Sequence, residues 1–170
     1  PPCEGNIMVS NPFWCKTVKE YKNETARWIE APGMQNYMDL AIFFDAFAVA
    51  GDKELLINLK DDLFNKLHDK DVFMAYFAKA TLAFDTPATI SNFMTKTHYI
   101  DIKKAAVFPI VQGIRSLALR EKIRETTTVK RIKILEDKKI IEKNKAAELL
   151  EAFDVVNTLR LKAQLEDIQS

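Results

Sequence analysis

Apolar residues recur three and four positions apart through most of the 170-residue chain, and strict apolar/polar alternation is confined to one short stretch. Leu55, Leu56, Leu59, Leu63 and Leu67 mark a helix that Asp52 can cap. Val107, Ile110, Val111, Ile114 and Leu117 mark another over residues 103–123, where Pro109 lacks a backbone donor and should bend the axis. Leu149, Ala152, Phe153, Val156, Leu159 and Ala163 form one apolar stripe on a last helix running from Asn144 towards Ile168. Around these, Ser10, Asn11 and Pro12 suit the start of a helix that Ala31, Pro32 and Gly33 end near Glu30. A second helix should run from Met34 to a stop at Gly51, a fourth should follow Asp71 through VFMAYFAKATLAF, and a short one should lead from Thr126–Thr128 to about Asp137. Pro87 interrupts the pattern and THYIDI alternates, so a small hairpin is expected near residues 89–102. The fold class is all-α, a helical bundle of six to seven helices with that one possible hairpin.

Composition narrows the picture. At 19.5 kDa and 48% hydrophobic residues the chain can enclose one core. Four glycines and six prolines supply too few tight turns for a sandwich or barrel, and no window holds the ~20 apolar residues a membrane crossing needs. Lys plus Arg (25) nearly cancels Asp plus Glu (24), so no global basic field recruits nucleic acid. Cys3, Cys15, His68 and His98 form neither a zinc pattern nor a disulfide framework. Pro1 is no natural start and nothing resembles a secretory signal, which reads as part of a longer cytoplasmic protein.

Candidate chemistry lies in charges set among apolar neighbours. On a continuous helix Asp45 shares its face with Met38, Ala41, Ile42, Ala48 and Val49, and a carboxylate there needs a cation or donors. Arg115 is the mirror case, beside Phe108, Val111, Ala118 and Leu119. The first expectation is that these two meet, with Lys103 and Arg160 as alternative cations. Asn157, Arg160 and Gln164 fall within about 60° of one another at the edge of the last stripe, where a cleft-lining residue would sit. A structural ion pair and an ordinary bundle surface would give the same pattern. Asp69 and Asp71 have metal-like spacing without a phosphate loop upstream, and the ten basic against five acidic residues between Arg120 and Lys145 have no aromatic among them to stack a base, which reads as a solvated face. His68 and His98 support no hydrolytic triad.

Several segments, in order, carry a resemblance: PPCEGNIMVSNPFW, Trp28, IFFDAFAVAGD, IDIKKAAVFPIV, IRSLAL, Thr128-x-x-Arg131 and LRLKAQ. Together they resemble the nucleotidyltransferase substrate-binding domain at the C-terminal end of bacterial proteins that carry CBS or cyclic-nucleotide-binding modules. The resemblance implies a helical domain (10–170) behind a polymerase-beta-like catalytic domain, of which residues 1–9 would be the tail. This is similar to the uridylyltransferases and adenylyltransferases that act on nitrogen-regulatory proteins. Mg2+ and nucleoside triphosphate would belong to that catalytic partner in cis, the acceptor would be a protein or a small molecule, and the 170 residues would not be an enzyme alone. Asp45, Lys103, Arg115, Arg131, Arg160 and Gln164 match and carry over as substrate-cleft residues: the cations would meet phosphate or acidic groups and Asp45 would orient a cation. The chain departs from the family at Phe47, where an arginine is usual, and at Ala163, where a histidine is usual. The rival reading is a non-catalytic bundle relaying a signal from upstream ligand-binding modules.

Overall fold

The computed structural model describes residues 11–80 and 102–169, with backbone only for 167–169. Among the described residues are seven α-helices and no strand: α1 (Val18–Glu30), α2 (Met34–Asp45), α3 (Lys53–Lys66), α4 (Asp71–Lys79), α5 (Phe108–Arg120), α6 (Thr128–Asp137) and α7 (Lys143–Gln169). A π-helical turn, Lys103–Val107, leads into α5. The fold is all-α. The expected hairpin lies outside the described residues apart from Ile102, which is already helical. The chain divides into two compact units, Pro1–Lys70 and Asp71–Ser170.

In the first unit α1 packs on α2 and α3 around Trp28, Leu40, Phe43, Phe44, Leu63 and Phe64. The ring of Phe43 lies 6.0 Å from Trp28 and 5.4 Å from Tyr21, and Phe44 meets Phe64 edge-on at 6.1 Å. Two boundaries differ from the sequence expectation. The first helix begins at Val18, because Thr17 and Glu20 form a capping box: the Glu20 amide donates to Thr17 Oγ1 at 3.3 Å and the Thr17 amide to Glu20 Oε2 at 2.7 Å. Asn11 instead closes a separate turn, its side chain accepting from the Phe13 amide. The second helix stops at Asp45 and not at Gly51. There Lys60, itself buried, donates from Nζ to the Ala46 carbonyl at 2.7 Å, and Ala46 turns to extended backbone. Phe47 and Val49 consequently stand 69% and 84% exposed, and the apolar face on which Asp45 was expected ends at Asp45 itself.

In the second unit α5 packs on α4 and α6, and α7 packs on α6 and on the π turn. Phe73 and Phe77 stack at 6.1 Å, and Ile114, Ala118, Leu119, Ile132 and Leu135 complete the core. Pro109 is the cause of the π turn: it has no amide proton, and its ring would collide with the carbonyl four residues back, so the turn widens and Phe108 donates five residues back to Lys103. Both α5 and α6 close on a left-handed lysine. At Lys122 (φ 55°) the Ile123 amide reaches the Ala118 carbonyl at 2.8 Å, and at Lys139 (φ 58°) the Ile140 amide reaches Leu135 at 2.9 Å. The stripe expected on α7 is only partly covered. Ala146 is buried and Leu149, Phe153 and Val156 are half-buried, whereas Ala152, Leu159 and Ala163 lie in solvent because they sit on the helix's other side.

Candidate functional site

The second unit carries five of the six expected site residues, and Asp45 belongs to the first. Arg115, half-buried at mid-α5, donates from Nη1 to Gln112 Oε1. Gln112 is buried; its Nε2 donates to the Phe77 carbonyl in the last turn of α4 at 3.4 Å, so one amide ties the guanidinium to a helix end. Ser116 Oγ donates to the Gln112 carbonyl at 2.8 Å. Sequence reasoning missed Gln112. Its signal was a lone amide inside the apolar run Val111–Ile114, three positions before Arg115 and so on the same side of the helix.

Lys103 stands exposed on the π turn with its ammonium 5.4 Å from the centroid of Phe108. Arg160, half-buried, and Gln164, exposed, stand one turn apart on α7, the helix that packs against that π turn. Asn157 turns back onto its own helix, donating to the Phe153 carbonyl at 2.7 Å. Arg131 is 1% exposed. Its Nε donates to the Glu125 carbonyl at 2.6 Å, while the Glu125 carboxylate accepts from the amides of Thr126 (2.7 Å) and Thr127 (3.0 Å). The Thr127 amide, working against burial and helped by the Thr126 amide and Lys130, holds the Glu125 carboxyl below its ordinary range. Of the other basic residues in this stretch, Lys130 pairs with Glu125 at 3.5 Å and Lys138 donates to the Glu121 carbonyl at 3.3 Å.

The first unit holds a polar groove of 290 Å³ bordered by Pro12, Cys15, Lys16, Glu20, Glu24 and Arg27. Glu24 accepts from Lys16 at 3.1 Å and from Arg27 at 2.6 Å and 3.0 Å. Burial opposes its charge, the two cations outweigh that cost, and its carboxyl lies below the usual value. Beside the groove, burial and then the neighbouring Cys15 push the Tyr21 hydroxyl above its usual range as it donates to the Trp14 carbonyl. His68 and Asp69 form an exposed pair at 2.6 Å at the end of the unit. Among the described residues no group of three His, Cys, Asp or Glu is placed to hold a metal ion.

Comparison with known proteins gives two matches on separate segments. Residues 71–170 match the family described as Putative nucleotidyltransferase substrate binding domain, and residues 1–35 match the family described as Putative nucleotidyltransferase DUF294. No curated protein and no solved structure matches the chain. Among the described residues no helix is long and apolar enough to cross a membrane. The first family model covers more than half of the chain, which therefore belongs to the family of nucleotidyltransferase substrate binding domains.

Proposed function

We propose that the chain is the helical substrate-recognition part of a cytoplasmic nucleotidyltransferase, positioning an acceptor, protein or small molecule, for a catalytic domain in cis. The observation that carries this reading is the pairing of matches: the substrate-binding model on residues 71–170 follows the nucleotidyltransferase model on residues 1–35. Mg2+ and the nucleoside triphosphate belong to the catalytic domain, where the metal would supply charge neutralisation for in-line attack on the α-phosphorus. This part contributes position. Lys103, exposed with its ammonium over the Phe108 ring, can reach an anionic group, and Arg115 is aimed by Gln112. Arg160 and Gln164 add polar groups along α7, Arg131 braces the loop before α6, and within the first unit Asp45 would orient a cation. CBS or cyclic-nucleotide-binding modules upstream, in a bacterial signalling protein, would set when transfer occurs.

The test is nucleotidyl transfer by the full-length protein, with each labelled triphosphate and Mg2+ in a cell extract, read by mass spectrometry of labelled acceptors. Lys103→Ala and Arg115→Ala should each raise the acceptor KM by about tenfold, the value of one charge-assisted contact, with kcat held. Transfer to no acceptor with any triphosphate would overturn the reading in favour of a non-catalytic bundle that relays a signal.

A further inference from the structure

One side of α7 carries a row of exposed residues at coiled-coil spacing. Residues 145, 148, 152, 155, 159, 162 and 166 are spaced three and four apart, the spacing of a coiled-coil seam, and every one is exposed. They lie opposite the side that carries buried Ala146 and half-buried Phe153 and Arg160. The seam reads Lys145, Glu148, Ala152, Val155, Leu159, Lys162, Glu166: an apolar centre, with Val155 50% and Leu159 48% exposed, between two pairs of opposite charge.

The charge order names the occupant. We infer that a second copy of this chain covers the seam, the two α7 helices running antiparallel about a two-fold axis near Val155. In that arrangement Lys145 faces the partner's Glu166, Glu148 faces the partner's Lys162, and Ala152 packs on the partner's Leu159. A parallel, in-register pair would set lysine on lysine and glutamate on glutamate in all four charged layers. Only the antiparallel order turns every charged layer attractive. In the single chain Lys145 holds Glu148 at 2.7 Å within its own helix, an exposed pair that is readily exchanged for the partner's charges. Three apolar layers make a short seam, so the dimer is concentration-dependent and its orientation comes from charge. This inference does not rest on the nucleotidyl-transfer reading.

Sedimentation equilibrium of the full chain over a wide concentration range tests it. The wild type should reach a dimer. Val155→Glu, at an exposed position, should weaken association by about tenfold or more, as burying an unpaired carboxylate at the centre of an interface does, with thermal unfolding of the monomer unchanged. Glu166→Lys should weaken the dimer and Lys145→Glu combined with Glu166→Lys should restore it, because the swap recreates the attractive layer; both sites are exposed, so neither variant depends on the core. A wild type that stays monomeric, a dimer untouched by Val155→Glu, a monomer unfolded by it, or a double variant no better than Glu166→Lys would each overturn the proposal.

Discussion

Lys60 closes a helix that it does not belong to: its ammonium sits 2.7 Å from the carbonyl of Ala46, at the end of α2, and 5.8 Å from the ring of Phe44. The lysine stem is buried, so the contact works in a poorly solvated place at the negative end of a helix dipole. Lys60→Met keeps the stem and removes the charge-assisted donor. It should cost about 2 kcal/mol, measured as a lower urea midpoint with an unchanged slope.

Acid should loosen the molecule through particular carboxylates. Glu24, held down by Lys16 and Arg27 despite burial, and Glu125, held down first by the Thr127 amide, both lie below the ordinary value of 4.5. A carboxyl lowered in the fold adds stability that is complete above its unfolded value and is lost as pH falls through the lower folded value. Glu24→Gln and Glu125→Gln should therefore be less stable than the wild type at neutral pH, and the gap should close below 4.5 on a series of thermal melts against pH.

The lysines that end α5 and α6 occupy backbone suited to glycine, since a side chain at positive φ meets the following carbonyl. Lys122→Gly and Lys139→Gly should each stabilise by about 0.5–1 kcal/mol, the strain relieved exceeding the extra chain entropy. Both closing hydrogen bonds remain, so the gain should appear as a higher Tm with no change in helical circular dichroism. Glycine at neighbouring Lys138, which is right-handed (φ −77°), should instead destabilise.

Arg131 and Lys103 should separate cleanly. Arg131→Ala empties a buried site and strands the Glu125 carbonyl, costing about 3 kcal/mol. Lys103→Ala, at an exposed position, should leave the unfolding midpoint within about 0.5 kcal/mol of the wild type. Paired denaturation curves check both, and an Arg131→Ala protein as stable as the wild type would remove its bracing role.

Much of the helical layout is legible because its signals are local. Asp52 caps α3 where its sequence suggests, accepting from the Glu54 amide at 2.9 Å, and α6 starts after Thr127. The end of α2 is not legible. AFAVA favours continuation, and the charge that satisfies the carbonyl at its actual end comes from Lys60, fourteen positions onward. The start of α1 offers two competing signals, Asn11-Pro12 and Thr17-x-x-Glu20, and the reciprocal box prevails. On α7 the spacing identifies apolar positions without showing that two opposite sides compete for cover, which is why Leu159 lies outside. Among the candidate site residues, charge and spacing single out Arg115 but not Gln112, the amide that accepts from it. Nothing in Thr128-x-x-Arg131 announces burial, since the arginine's acceptor is a main-chain carbonyl that any residue supplies.

A π turn holds one more residue than the α turn it replaces, so everything before it is rotated by about 100° relative to a continuous helix. Pro109 thereby acts as a phase shifter: it decides which compass direction Lys103 takes while lying six positions away. Replacing the proline with alanine would let the ladder close in the ordinary register and swing the lysine a quarter-turn away, keeping the charge in the sequence while removing it from its place.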